Sequence, residues 1–528
     1  MLTVQHGRLA GFGCHESVKN SEKSKKIAKL VAIGAMVFMP LAAWLTLDSG
    51  SPPQLVAPLT VAQAVEAQKT PVPEANVAKR TRYVTLDSKV MRTLEKPRGS
   101  LQIELFPGET VTIDFKQADH EADDFTSVIG IIRGQPESQV SLVTHKGVFG
   151  GSVNLADGRS FVINYAGPDR YAVVELDHDK MNVSHEHQEH FAASLPSPSE
   201  IPENGVVSLP QLPWNQTVPV PGMPWFTTTL IGTNPWPQLT NVYGPPVIGT
   251  MILYTPEARD QLAGLLGVET RIRLAVSQIN ACFEKSGTSA RIRLMHSDVI
   301  EYGSTGNITT DLQQMTYAYG PQTPEIHALR EQHRADLVTL MVPESGNNLM
   351  HGTSWLLTSD NPAPAFGFNV IEAPYVNTSV LAHEIGHNLG CNHAFGDVGS
   401  IFGGAFTNSF GYRFWTTNLN GTSNRLRTIM AYGPGRRVGF FSSPSNTFYG
   451  VPMGNTTHAN NVHTIERTAP MVGTYMSGGY GPPYYYNPAT SGGTPLNSQA
   501  NGPGLPGPPF TRSQARSLQH SFRINLRN

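Results

Sequence analysis

The sequence predicts an α+β chain, and three patterns predict it. Short runs of alternating apolar residues fill positions 82–180, the signature of strands joined by tight turns. From residue 247 onward, strand-like runs alternate instead with long stretches of helical periodicity. Between these regions lie twelve prolines from position 196 to 246, a density that forbids regular helices and central strands. The expected architecture is therefore a small all-β domain followed by a larger domain. In the latter, strands and helices alternate, a central strand is apolar along its whole run as in parallel sheets, and one helix is decisive.

The chain has 528 residues, enough for two or three domains with real cores. Its 38 Lys and Arg against 40 Asp and Glu leave a formal net charge of -2. No basic stripe appears, so nucleic acid is excluded as the expected partner. The 50 glycines and 41 prolines point to long irregular stretches.

Residues 1–50 carry a basic flank ending at Lys29, then an apolar run over 30–47. That pattern reads as a signal peptide or a single membrane anchor, and the run is borderline in length for spanning a bilayer. Either way the chain is expected to be exported, secreted or held in the cell envelope. Residues 51–81, rich in Pro, Ala, Val and Gln, read as a linker. The β-rich region 82–180 contains runs at 101–106, 110–115, 139–143, 149–153, 159–163 and 171–176. After the acid-flanked His178, residues 181–246 form a boundary, opened by His185, His187 and His190 among acids and continued by the proline-rich strap.

The large domain spans 247–476. It opens with a strand at 247–254, after which Thr255 caps a long amphipathic helix with Pro256 in its first turn. Residues 290–295 and 335–342 supply further strands, the latter nearly continuous in apolar character as a central parallel strand requires. Phe366, Gly367, Phe368 and Asn369 are the expected edge strand, offering backbone groups to an extended peptide. Residues 459–475 read as a last helix. From 477 to 528 the composition of Gly, Pro, Tyr, Asn and Ser reads as a disordered tail.

The decisive stretch is His383-Glu384-Ile385-Gly386-His387-Asn388-Leu389-Gly390-Cys391-Asn392-His393. Two histidines four apart sit one turn apart on the same helix face, where both reach one metal ion. Glu384 beside them reaches a water on that ion. Asn377 or Thr378 offers the helix cap. Gly390 permits a sharp turn through left-handed angles, after which His393 supplies a third nitrogen and leaves a fourth position open. The expectation is one zinc ion on His383, His387 and His393, with Glu384 as general base. A structural Ca2+ is compatible with the sequence, but no motif indicates it.

This motif resembles that of the metzincin clan of zinc endopeptidases, in which a methionine turn follows the active-site helix. Residues 427–433, Arg-Thr-Ile-Met-Ala-Tyr-Gly, look like that turn. The stretches around Phe441-Ser442-Ser443-Pro444 and Gly450-Val451-Pro452 resemble bacterial reprolysin-like domains. The resemblance implies a metzincin-type α/β catalytic domain over 247–476, with a mostly parallel twisted sheet, an antiparallel edge strand and the active-site helix. It also implies a propeptide-like role for 82–180 and Met430 packed beneath the metal ligands. Tyr432 is then either a fifth ligand that stabilises an oxyanion or a buried tyrosine bonded against the turn. Many reprolysins carry aspartate after the third histidine; this chain has Ala394.

Among three cysteines, Cys282 and Cys391 are the pair beyond the leader. They form a disulfide or remain two small buried hydrophobes. The expected function is hydrolysis of internal peptide bonds in protein or peptide substrates. The rival readings are a zinc amidase or aminopeptidase on small or cell-wall peptides, and a non-catalytic surface binding protein.

Overall fold

A computed structural model describes residues 51–181, 193–194 and 246–476, apart from short gaps at 68–71, 95–96, 98, 122–123, 318–321, 346–349, 398–402 and 418–420. The leader, most of the proline-rich strap and the tail lie outside the described residues. No helix among the described residues is long and apolar enough to cross a membrane. The chain divides into two compact units.

The first unit comprises residues 1–181 with 262–277 and 418–420. Its sheet contains β1 (Val56–Pro58), β2 (Ala78–Leu86), β3 (Ser100–Phe106), β4 (Glu109–Glu121) and β5 (Phe125–Ile132). It continues with β6 (Gln135–His145), β7 (Val148–Asn154), β8 (Ser160–Tyr165) and β9 (Tyr171–Leu176). Strands β3 to β9 follow one another as antiparallel hairpins, and β2 then pairs with β9 and β1 with β2. The ends also meet: Leu55 N donates to Gln102 O and Gln102 N to Pro53 O, both at 2.9 Å. Such closure covers strand edges that would otherwise invite another chain. Lys146 and Gly147, both at positive φ, make the two-residue turn between β6 and β7 that right-handed strand twist favours.

This sheet is larger than expected, because the stretch taken as a linker contributes structure. Residues 51–81 hold β1, a helix at Val61–Ala67, a 3-10 turn at Pro73–Val77 and the start of β2. The charges of β2 concealed it. Arg80 pairs with Glu109 and Glu175, Arg82 with Glu104, and Lys79 with Glu175. Inside lie Ile103, Ile113, Leu142, Phe149, Phe161 and Val173, all at or near zero exposure. Glu74 is buried too, and its Oε1 accepts from both Asn164 Nδ2 and Arg271 Nη1. His178, expected in a solvated boundary, is buried with Nε2 3.2 Å from Ser160 Oγ.

The second unit comprises residues 182–261, 278–417 and 421–528. Its sheet is built from β10 (Ala193–Ser194), β11 (Val247–Tyr254), β12 (Arg291–Val299), β13 (Leu337–Val342), β14 (Gly352–Leu356) and β15 (Phe368–Glu372). The order is β10-β14-β15-β13-β11-β12. The pairs β11–β12, β11–β13, β13–β15 and β10–β14 are parallel, and β14–β15 is antiparallel. Every residue of β13 is buried, as its apolar run requires. The expected edge strand is corrected here. Phe368 and Asn369 lie in an internal strand, with Phe366 and Gly367 at its approach; the strand flanking the active-site helix is β14. Strand order is not written in local pattern, and a short five-residue run reads alike at centre or edge.

The expected long helix from residue 256 is two: Pro256–Gln261, and Gly264–Ser286 after a break where Ala263 and Gly264 take positive φ. Thr255 caps the first, accepting from Ala258 N at 3.2 Å. Residues 264–277 of the second belong to the first unit, where Arg271 meets Glu74 and Ser277 Oγ lies 2.7 Å from Ser127 Oγ. Its remaining turns belong to the second unit, where Phe283 stacks on Phe441 at 5.4 Å. The last helix runs Asn461–Val472 behind an Asn460 cap, with Pro470 inside it. Cys282 and Cys391 are both buried and are not joined, so the disulfide does not form.

Candidate metal centre and active site

The helix Val380–Asn388 is buried along its whole length. Its N-cap is Ser379, at φ 68° and without a side-chain cap bond. Thr378, expected there, spends its hydroxyl on Tyr375 O at 2.7 Å. The helix is held by its surroundings. Asn388 Nδ2 donates to Trp355 O at 3.0 Å and Phe368 O at 3.2 Å, and its Oδ1 accepts from Asn369. These bonds lock the helix end to β14 and β15.

At the C-terminus the chain turns as Gly390 requires. Its φ is +85°, its N–H reaches His387 O at 2.8 Å, and Cys391 N reaches Gly386 O at 2.9 Å. This left-handed cap suits glycine. A Cβ on Gly390 would also lie 2.5 Å from that of Ala405. The turn delivers His393 to the two helix histidines. His387 Nε2 lies 3.2 Å from His383 Nε2 and 3.0 Å from His393 Nε2.

The other ring nitrogens show what these contacts are. His383 Nδ1 lies 3.0 Å from Ile429 O, and His387 Nδ1 lies 2.8 Å from Cys391 O. A carbonyl only accepts, so each Nδ1 carries the proton and each Nε2 presents a lone pair. Burial lowers the pKa of both rings, His387 to about 4, which keeps them neutral. Lone pairs facing one another at 3 Å repel unless a cation lies among them. The donor set therefore fits a divalent metal, and zinc takes three such nitrogens with an open fourth position.

Glu384 is buried beside this cluster, and Ser354 Oγ donates to its Oε2 at 2.8 Å. Burial raises its pKa to about 8, opposed by the Ser354 bond and the charge of Arg437. A cation on the imidazoles would favour the carboxylate further, bringing it into the range of a working base. Met430 is fully buried, with Sδ 2.4 Å from where a Cβ on Gly386 would stand. It thus packs against Gly386, in the turn that carries the two helix histidines, where only glycine leaves room. The Tyr432 ring lies 4.0 Å from His393 and 5.8 Å from His383, and burial raises its phenol pKa strongly.

Several participants carry no local sequence signal. Asp397 accepts from Ala394 N at 3.0 Å and Tyr432 N at 3.3 Å, and pairs with Arg413, whose Nε donates to Tyr432 O. The staple ties the third histidine's strand to the tyrosine turn. It comes three residues beyond Ala394, the position where many reprolysins place their aspartate. Arg427 donates to Gly435 O and Ala431 O, holding the methionine turn from within. Ser354 and Arg437 join the site from β14 and from the short strand Arg436–Arg437.

Residues 246–442 match a family model described as Reprolysin_5, metallo-peptidase family M12. A curated relative from Pseudomonas aeruginosa, named peptidyl-Asp metalloendopeptidase, is 28% identical over 270 residues, covering 48% of this chain and 43% of its own length. A protein of the same name from Xanthomonas campestris is 28% identical over 228 residues, covering 42% of this chain and 50% of its own. The chain spans about half the length of the curated relatives it matches. Among solved structures, metalloproteinase-II from Bacteroides fragilis aligns over 67% of this chain and 91% of its own, at 11% identity and a TM-score of 0.29. A structure of a chaperone-substrate complex aligns over 44% of this chain and 36% of its own, at 20% identity and a TM-score of 0.35. On the family match, the curated relatives and the three gathered imidazoles, the chain contains a metallopeptidase region related to the M12-type zinc peptidases.

Proposed function

We propose that the chain is a zinc-dependent endopeptidase that cleaves internal bonds of extended polypeptides. One observation carries this reading: the Nε2 atoms of three histidines gather at one point, two of them 3.2 Å and 3.0 Å from a common neighbour, while Glu384 stands beside them without joining the donor set. His383, His387 and His393 hold the ion. Zinc, when bound, supplies a Lewis acid that acidifies water and polarises the scissile carbonyl. Glu384 takes a proton from the attacking water as its oxygen bonds to the carbonyl carbon. It then delivers that proton to the amine nitrogen as the C–N bond breaks. Tyr432 donates its phenol to the oxyanion.

The peptide pairs with β14. That edge accepts a strand in this chain already, since Ala193 and Ser194 lie in parallel register with Trp355 and Leu356. Main-chain pairing of this kind suits an endopeptidase, because it reads backbone over several residues. Secretion or retention in the cell envelope, and a propeptide role for the first unit, complete the proposal and rest on the leader pattern and the resemblance.

A preference for aspartate beside the scissile bond is favoured by two observations. The curated relatives bear the name peptidyl-Asp metalloendopeptidase. In this chain Arg437 is a half-buried cation within electrostatic reach of Glu384, Tyr432 and His383. Arg427 beside it in register is committed to backbone carbonyls. Arg437→Met is expected to remove discrimination between Asp- and Asn-containing peptides while leaving cleavage of neutral peptides in place.

The primary test is cleavage of a denatured protein by the purified chain, with and without a zinc chelator, beside Glu384→Gln. Fragments from internal bonds, lost on chelation and in the variant, with zinc retained by the variant, are expected. Undiminished cleavage by Glu384→Gln would falsify the assigned base, and release of single terminal residues would point to an aminopeptidase.

A further inference from the structure

The catalytic carboxylate is held from outside its own helix. Terminal carboxylate torsions are broad and roughly two-fold, so Glu384 needs a partner to present one oxygen consistently. That partner comes from β14, where Gly352 and Ser354 are two apart and so share one face. Ser354 is fully buried, and its hydroxyl donates to Glu384 Oε2 at 2.8 Å. A Cβ on Gly352 would stand 2.6 Å from Oε1, 2.9 Å from Cδ of Glu384 and 2.7 Å from Cγ1 of Val380. One position thus supplies a hydroxyl and the other supplies room.

The strand itself is anchored. Leu357 N donates to His387 O at 3.1 Å, Asn388 holds Trp355 O, and Ser354 lies in antiparallel register with Asn369. The hydroxyl is therefore fixed relative to the metal ligands.

We propose that Ser354 is the positioning residue of the general base: by holding Oε2 it reserves Oε1 as the oxygen that takes the water's proton. The strand that receives the peptide backbone also orients the base, so docking and proton transfer share one element. This inference rests on the reading of Glu384 as base, and the two fail separately. If Glu384→Gln still turns over, the base falls. If Glu384→Gln is dead and Ser354→Ala is unimpaired, only the positioning role falls.

The experiment compares Ser354→Ala, Ser354→Thr and Gly352→Ala with the parent chain. A charge-assisted hydrogen bond of this kind corresponds to a fall of about 10- to 100-fold in kcat for Ser354→Ala. KM, zinc content and Tm are expected to hold. A phosphinic peptide, whose acidic oxygen shares a proton with the base, should bind Ser354→Ala more weakly, while an unreactive substrate-like peptide binds as before. Ser354→Thr, which keeps the hydroxyl on a strand-compatible side chain, restores kcat. Gly352→Ala displaces the carboxylate and lowers kcat with zinc retained. Parental kcat in Ser354→Ala overturns the proposal. So does a loss accompanied by lost zinc or lowered Tm, or a folded Ser354→Thr protein as slow as the alanine variant.

Discussion

Each of the two units buries ionisable groups, and they do so in opposite ways. In the first, Glu74 meets Arg271 and Asn164, so a negative group is matched by a positive one and an amide. In the second, the neutral imidazoles of His383 and His387 turn lone pairs toward one another beside His393, and a carboxyl is buried with them, its pKa raised to about 8. Complementary burial balances its charges within the polypeptide alone. Converging acceptors are complete only with a cation. Burial of polar groups is therefore no sign of function by itself; what matters is whether the partners present have opposite sign.

His387→Ala breaks the contrast most severely. His387 is the nitrogen common to both short Nε2 contacts, so its loss leaves two ligands that no longer converge through it. Zinc stoichiometry near zero and cleavage at background are expected, measured by metal analysis and the denatured-protein assay. The chain should still fold, since the methionine turn and β14 remain anchored by other bonds.

Glu74→Ala tests the other side. It leaves Arg271 buried without its carboxylate and is expected to cost about 3–5 kcal/mol of stability. A shifted urea midpoint would register it, with zinc stoichiometry unchanged. If metal content fell in step with stability, the distinction between structural and functional burial would fail for this chain.

Legibility in the sequence divides along the same line. Metal ligation fixes spacing within a helical turn, so His383, Glu384 and His387 declare themselves, and Gly390 marks where His393 turns back. Met430 is visible only through resemblance, because a buried methionine has no periodicity of its own. Ser354, Asp397 and Arg413 stay hidden, since a serine in a strand or an acid in a loop acquires its role from a partner 30 or 16 residues away. Strand β2 is missed because Lys79, Arg80 and Arg82 mask an alternation that cross-strand carboxylates make tolerable. The edge expected at 366–369 falls inside the sheet, because β14 and β15 are equally short and local pattern does not order them.

A smaller effect sharpens the comparison through pH. His327 is buried, with Nε2 2.7 Å from Met315 O, and desolvation lowers its pKa to about 4. The unfolded chain, with a pKa near 6.5, then binds more protons than the folded one below neutrality. Stability is present in full above about pH 6.5 and falls as pH drops toward 4. Between pH 7 and pH 5 this group alone corresponds to about 2 kcal/mol. His327→Gln, compared with the parent at both pH values by urea unfolding, should lose that share of the acid sensitivity. Equal pH dependence in the two proteins would show that the ring is accessible to protons.

The smallest expected effect concerns the thiols. Cys282 and Cys391 are buried and not in a disulfide, and burial raises the thiol pKa of Cys391, whose Sγ lies 3.8 Å from Asn461 O. The thiolate, not the thiol, reacts with oxidants and alkylating agents, so both sulfurs should be inert while the protein is folded. Reductant is expected to leave Tm unchanged, and iodoacetamide to modify these two positions only after unfolding, as peptide mass mapping would show. A drop in Tm on reduction would mean that the sulfurs are bonded. The catalytic region would then owe part of its rigidity to a covalent brace, and not to packing around Met430 and Phe441 alone.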